Sequence, residues 1–380
     1  MLIELFSKKE LEKINWHDFR NGEEVKGYFS EMMKVEPKVY VKNVDAEIYL
    51  LAVDDLLIPI TKAINNEKNS YVVSPFVHYV SYAIEELREL QNPLLEWFLK
   101  RFLQCFGFLM KWGKVDRVVT VNNWLLSTNL YEELTTEQAG RIVKFVQKQF
   151  PHDAILFRSL TEPLHQSIME AFADQGCVYV PSRSIYLFYP DQYDQFSKKQ
   201  RKTIRRDQQF MAKSGYIIED KISSTDMQRV LDLYNELYLK KYSYFNPQFT
   251  IEFLQNAYEN KLIHFRVLKK ENQIDGVVGF IVRNGKITTP ILGYDTSKPK
   301  KVGLYRLCSL ILTMSSLKTG ILFHRSAGAG EFKKNRGSQN EIEYSAVFTD
   351  HLPWSRRWIW RALEFLLTKI GVPLLKKFNL

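Results

Sequence analysis

The side chains best suited to bind or move a charged group cluster between Ile287 and Gly337, where the chain reads ITTPILGYDTSKPKKVGLYRLCSLILTMSSLKTGILFHRSAGAGEFKKNRG. Lys298, Lys300 and Lys301 precede Gly303, after which Leu304, Leu307, Leu310, Ile311, Met314 and Leu317 recur at helical spacing and predict a helix with one buried face. A helix start leaves backbone N–H groups unpaired at the positive end of its dipole, and a glycine there lets a ligand approach closely. Lys300, Lys301, Val302, Gly303 and Leu304 therefore form a cradle suited to a phosphate or pyrophosphate, although an exposed lysine turn before an ordinary helix would show the same letters. Downstream, the Gly328–Gly330 turn permits tight backbone, Glu331 offers a carboxylate base, and Lys333, Lys334 and Arg336 offer cations. Tyr242, Ser243, Tyr244 and Asn246 mix aromatic and polar groups as a pocket wall does, or as an interhelix turn does. His324 fits a packed, hydrogen-bonded histidine better than a base.

The flanking elements place this stretch in an alternating α/β pattern. Strands are expected at VYV, AEIYLLAV, LLIPI, SYVVSPF, Arg117 to Asn122, DAILFRSL, CVYV and SIYLFY, with helices at Val80 to Leu90, Thr136 to Gln149 and Glu162 to Asp174. A seam falls at Pro190 to Phe196. Beyond it, Lys198 to Lys213 reads as a strongly basic helix stopped by Gly215. Then come strand YIIED, two helices, strand LIHFRVLKK, strand GVVGFIV, the Asn284-Gly285 turn and strand KITTPILG. The expected fold class is α/β with mixed sheets, in two halves, 1–190 and 191–380.

The order of the second half resembles the GNAT acyltransferase fold, in which acyl-CoA phosphates rest at the helix after the fourth strand. The usual loop there reads Gln/Arg-x-x-Gly-x-Gly/Ala; Lys300-Lys301-Val302-Gly303-Leu304-Tyr305 keeps its glycine and basic character, with Tyr305 in place of the small residue. The chain is also similar to the tandem-GNAT group of FemAB-like aminoacyl transferases and CelD/BioF2-like acetyltransferases. The carriers are the Arg-x-x-Ile-Arg-Arg run at Arg201–Arg206 and the Gly-x-Gly-x-x-Lys turn at Gly328–Lys333.

That resemblance implies two GNAT-like halves, the first degenerate, and transfer of an acyl group from acetyl-CoA or another acyl-CoA to an amine acceptor held between the halves. It places Lys300 to Leu304 and Lys333 at the donor, and Asp295, Glu331 and Tyr305 in proton transfer. Tyr242, Ser243, Asn246 and Tyr294 would hold the acceptor. Asp295 fits equally a turn aspartate that satisfies backbone N–H groups. An aminoacyl-tRNA donor is the first alternative, motivated by the basic helix and a net charge of +10. A scaffold without catalysis that binds nucleic acid or an anionic membrane is the second.

Composition narrows the classes further. Three widely spaced cysteines, Cys105, Cys177 and Cys308, speak against a disulfide framework or a zinc site, and no metal is expected. HExxH, GxSxG, Walker A and CxxC patterns are missing. The N-terminus lacks the apolar run of a signal peptide, and no stretch approaches the roughly 20 apolar residues of a membrane span, so a cytoplasmic location is expected. The apolar run from Phe102 to Met110 reads as buried. The helix from Arg357 to Ile370 is expected to dock on the core rather than on a membrane.

Overall fold

The computed structural model describes residues 3–64 and 66–378. Along the chain these form β1 (Ile3–Phe6), α1 (Gly22–Lys34), β2 (Ala46–Val53), β3 (Leu56–Ala63), a π-helical segment (Val77–Tyr82), α2 (Ala83–Glu86), α3 (Pro93–Trp112), β4 (Val118–Val121), α4 (Thr136–Gln149), β5 (Ala154–Leu160), α5 (Glu162–Ala173) and β6 (Val178–Phe188). They continue with α6 (Lys198–Ser214), β7 (Ile217–Glu219), α7 (Met227–Tyr234), a second π-helical segment (Asn235–Tyr242), α8 (Ile251–Glu259), β8 (His264–Lys270), β9 (Gln273–Arg283) and β10 (Lys286–Tyr294). The last elements are α9 (Leu304–Thr319), β11 (Leu322–His324), α10 (Gly330–Lys334), β12 (Gln339–Phe348), α11 (Trp354–Leu366) and α12 (Val372–Phe378).

The chain divides into two compact units. Unit 1 holds the chain up to Arg183, Phe245–Gln248 and Ile342–Phe378; unit 2 holds Ser184–Tyr244 and Phe249–Glu341. The boundary near 183 lies close to the seam read at 190. Unit 1 is discontinuous, however, and takes back the end of the chain, because the last strand and α11 find their partners there. Thus β12 pairs antiparallel with β5, and Arg356 of α11 donates to the carbonyls of His152 (2.5 Å) and Arg117 (2.9 Å).

Within each unit the strands pair in one pattern. In unit 1, β1 to β4 form antiparallel neighbours in order, β4 runs parallel to β5, and β5 meets β12 antiparallel. In unit 2, β7 to β10 form antiparallel neighbours, β10 runs parallel to β11, and β11 meets β6 antiparallel. The final strand of each sequence half thus completes the pairing begun by the other half. Each unit buries its own core. Leu51, Val121, Ile142, Phe157, Phe172 and Phe348 belong to that of unit 1, and Ile204, Leu268, Val278, Leu307, Ile311 and Phe323 to that of unit 2.

Several local expectations change. SYVVSPF is not a strand: its residues turn and enter the π-helical segment, with the Ser74 hydroxyl donating to Asp116 (2.7 Å) and accepting from the amide of Val77 (3.0 Å). Of VYV, Val39 ends the 3-10 turn Pro37–Val39, Tyr40 caps it, and Val41 forms an isolated β-bridge. CVYV and SIYLFY join in the single strand β6. The helix after Gly303 buries more than one face, since Ser309, Thr313 and Ser316 are enclosed along with its leucines. Their hydroxyls are satisfied within the fold, as in Thr313 to the Ser309 carbonyl at 2.9 Å. The run from Phe102 to Met110 is helical, but only Phe106, Gly107 and Met110 are buried. Among the described residues, no helix is long and apolar enough to cross a membrane.

Candidate functional site

Two features of unit 2 create an opening suited to a ligand. Strand β10 pairs with β11 only from Lys286 to Thr288, yet it continues beside β9 to Tyr294. Its later residues therefore turn an edge away from any parallel neighbour. Immediately beyond lies a basic turn, Lys300–Val302, with Lys300 and Lys301 exposed, and then α9. The turn closes through Val302 and Gly303 amides donating to the Pro299 and Lys300 carbonyls, at 2.9 and 3.0 Å.

Gly303 then adopts φ +70°, which a side chain would disfavour, and a Cβ there would meet the Phe210 ring at 2.8 Å. No side chain caps α9, and no acidic residue stands in its first turn. A positive helix end with N–H donors and flanking lysines suits a phosphate-bearing ligand.

The sequence-predicted residues fall into three settings. The cradle residues Lys300, Lys301, Val302, Gly303 and Leu304 are contiguous at the start of α9. Beside them runs an aromatic series: Tyr305 lies 6.2 Å from Tyr294 and 4.9 Å from Phe332 between ring centroids. Lys241 donates to the Tyr294 hydroxyl at 3.4 Å and sits over the Tyr242 ring at 5.5 Å. Ser243 is buried, its amide donating to the Tyr238 carbonyl at 3.0 Å. Burial raises the Tyr305 pKa, so its phenol stays protonated at neutral pH.

Asp295 and Lys333 are held firmly. Asp295 is buried, accepts from Arg229 (3.0 Å) and from the amide (2.9 Å) and hydroxyl of Ser297. Burial works to raise its pKa; the Ser297 hydrogen bonds and Arg229 outweigh it and keep the carboxyl below its ordinary value. The Lys333 amine is buried and donates to the carbonyls of Arg325 (2.6 Å), Ser326 (3.2 Å) and Ala327 (2.8 Å). It thereby pins the turn between β11 and α10. Glu331 is exposed at the start of α10.

Under the cradle, Asp207 of α6 is buried between two arginines. It accepts from Arg306 (2.5 Å) and from Arg336 at 2.6 and 3.2 Å. Arg325 bonds Ser309 and Ser338, and burial pushes its pKa down to about 10. Outside this group, Lys198, Lys202, Arg205 and Arg206 of α6 are exposed.

Asn246 belongs to unit 1, not with Tyr242 and Ser243. There it bonds Tyr82 and lends its carbonyl to the Asn43 amide at 2.9 Å. Around it stands a polar group that sequence reasoning missed. Arg183 pairs doubly with buried Glu343 (2.9 and 3.1 Å), and buried Arg158 donates to the Val72 carbonyl at 3.0 Å. His78 meets Ser182 at 2.9 Å while its Nδ1 lies buried without a hydrogen-bond partner among the described residues. Burial, with Arg158 and Arg183 nearby, pushes the His78 pKa well below its usual value. Glu86 is accessible at the surface yet surrounded by protein, and this desolvation raises its pKa to about 7. These residues come from six separate elements or loops, so no local spacing connects them. Their only sequence signal was the polar letters within the apolar SYVVSPFVHYV and AILFRSL runs.

Among the described residues, no three His, Cys, Asp or Glu side chains gather as metal ligands. No family model matches the sequence, and no curated protein matches it. Solved structures similar in fold include a conserved protein of unknown function from Bacteroides thetaiotaomicron, 10% identical with a TM-score of 0.51 over 92% of this chain and 100% of that one. FemX is similar over 60% of this chain and 79% of that one, at 9% identity and a TM-score of 0.44. A tandem GNAT protein from the clavulanic acid biosynthesis pathway is similar over 93% and 99%, at 7% identity and 0.39. The strand pattern, four antiparallel neighbours, a parallel pair and an antiparallel return, occurs once in each unit, so the chain is a mixed α/β fold built twice.

Proposed function

We propose that the chain is an N-acyltransferase that moves an acyl group from acyl-CoA to an amine acceptor. The observation that carries this reading is the uncapped, lysine-flanked start of α9 just past the strand that leaves its parallel neighbour. The donor's phosphates would rest on Lys300, Lys301 and the first N–H groups of α9, and its thioester along the open edge of β10. The amine nitrogen attacks the thioester carbonyl carbon, the C–S bond breaks, and one proton passes in net from nitrogen to sulfur. Exposed Glu331 takes the amine proton, and the Tyr305 phenol, kept protonated by burial, gives one to the leaving thiolate. Asp295 holds the end of β10 through Arg229 and Ser297 and keeps Tyr294 in place. Tyr242 and Tyr294 wall the acceptor site, where Lys241 disfavours an ammonium and so favours the nucleophilic neutral amine. Lys333 shapes the donor side by fixing its turn rather than by meeting phosphate.

The test is calorimetric titration of CoA into wild type and the double variant Lys300→Ala/Lys301→Ala. Loss of two charge-assisted contacts should weaken binding by about tenfold or more. Equal affinity in the folded variant would remove the cradle assignment. A second reading replaces acyl-CoA with aminoacyl-tRNA, supported by the exposed cations along α6. Strongly salt-dependent tRNA binding, without CoA binding, would favour it.

A further inference from the structure

Helix α3 is built inside out. Over its 20 residues, Leu94, Trp97, Phe98, Phe108 and Trp112 are exposed, Phe108 by 74% and Leu94 by 83%. At 100° per residue, Leu94, Trp97, Phe98, Arg101, Cys105, Phe108 and Trp112 fall on one arc, while the buried Phe106 and Met110 lie away from it. The outward face is thus the more aromatic one. Isolated exposed apolar residues are ordinary, but a contiguous aromatic stripe of this length marks a surface that is covered in use.

Helix α11, also in unit 1, repeats the device. It packs Ile359 against Gly113, the residue that ends α3. Its other side exposes Trp354 and Trp358, stacked at 6.4 Å, and Phe365. Cations outnumber acids nearby. Pro93–Trp112 carries Lys100, Arg101 and Lys111, the last paired with Glu67 at 2.5 Å, against Glu96; Trp354–Phe378 carries Arg357, Arg361, Lys369, Lys376 and Lys377, besides the buried Arg356, against Glu364.

We propose that this face of unit 1 docks on an anionic lipid bilayer, with α3 lying in the interface. Tryptophan and phenylalanine seat at headgroup level, and lysine and arginine stems extend along the apolar layer while their heads meet lipid phosphates. A second copy or a protein groove would also cover apolar surface, but neither calls for an excess of cations in both segments. The charge pattern fits anionic lipid. Among the described residues no helix is long and apolar enough to cross a membrane, and the attachment proposed here is peripheral.

Flotation of the full chain with phosphatidylcholine vesicles, with and without phosphatidylglycerol, tests the proposal. Binding should require the anionic lipid, fall with salt, and blue-shift tryptophan emission. The variant Trp97→Ala/Phe98→Ala/Phe108→Ala/Trp112→Ala should bind at least about a hundredfold more weakly, because it removes the four most exposed aromatic rings of α3. Its fold, checked by circular dichroism, should persist since all four side chains are exposed. Lys100→Glu/Arg101→Glu should also weaken binding, most at low salt. Wild type that ignores phosphatidylglycerol vesicles at low salt overturns the proposal. So does a concentration-dependent dimer, abolished by the four alanines, in a chain that binds no vesicles. CoA titration of the four-alanine variant keeps this question separate from the transferase reading, because the cradle lies in unit 2.

Discussion

The two units pair their strands alike but finish corresponding helices in opposite ways. In unit 1, α4 follows β4 as α9 follows β10 in unit 2. The start of α4 is closed: Thr135 accepts from the Gln138 amide at 3.1 Å, Gln138 bonds back to the Thr135 amide at 3.0 Å, and Glu137 stands in the first turn. All four residues of β4 pair with β5, leaving no separation of the kind that follows Thr288. Between β4 and α4 the loop is packed with buried Trp124, Leu125, Leu126, Leu130 and Tyr131. One position is therefore a capped structural joint, and the other an uncapped helix start, the place proposed above for the donor's phosphates. The same strand order supports both, so the difference lies in the helix cap and the turn before it.

The largest effect expected from breaking this contrast is at Gly303. Gly303→Val must hold a β-branched residue at φ +70° and displace the Phe210 ring, which a Cβ would meet at 2.8 Å. Together these should cost about 2–4 kcal/mol in urea unfolding. A variant as stable as wild type would show that the α9 start does not need this glycine conformation. Because stability and binding would fall together, this substitution cannot replace the lysine variants as a test of ligand affinity. Next is Thr135→Ala, which removes the hydroxyl from the capping box and should cost about 1 kcal/mol while leaving CoA affinity unchanged. Weakened CoA binding in that variant would mean that unit 1 takes part in donor binding after all.

Much of unit 2 was legible because its signals are local. The lysine turn, Gly303 and the helical recurrence from Leu304 lie within a few residues of each other, and the structure places α9 at Leu304–Thr319. The helix expected at Thr136 to Gln149 has those bounds for the same reason. The duplication was not legible as letters, since it resides in pairing: β6 and β12 meet β11 and β5, partners more than a hundred residues away in the chain. Burial and long-range pairing were not legible. Apolar letters in α3 suggested core where the helix turns its rings outward, and the letters at Arg183 and Glu343 gave no hint that the two pair across 160 positions of chain, because each partner arrives from a distant segment. Lys333 read as a phosphate ligand for a different reason: the three carbonyls that hold its amine belong to the turn just upstream, at Arg325, Ser326 and Ala327, and backbone acceptors leave no mark in the letters.

The smallest stability change should separate the two helix starts most cleanly, because stability and binding move in opposite directions. Lys301 is exposed just before α9, where the dipole favours an anion. Lys301→Glu should therefore stabilise the fold by about 0.3–0.5 kcal/mol at low ionic strength. The same carboxylate would repel the donor's phosphates, so CoA affinity should drop about tenfold or more, with the loss shrinking as salt is added. The acid already present in the first turn of α4, Glu137, is the natural version of this exchange. If Lys301→Glu binds CoA as wild type does while gaining stability, the α9 start is a structural joint like that of α4, and the donor's phosphates must rest elsewhere.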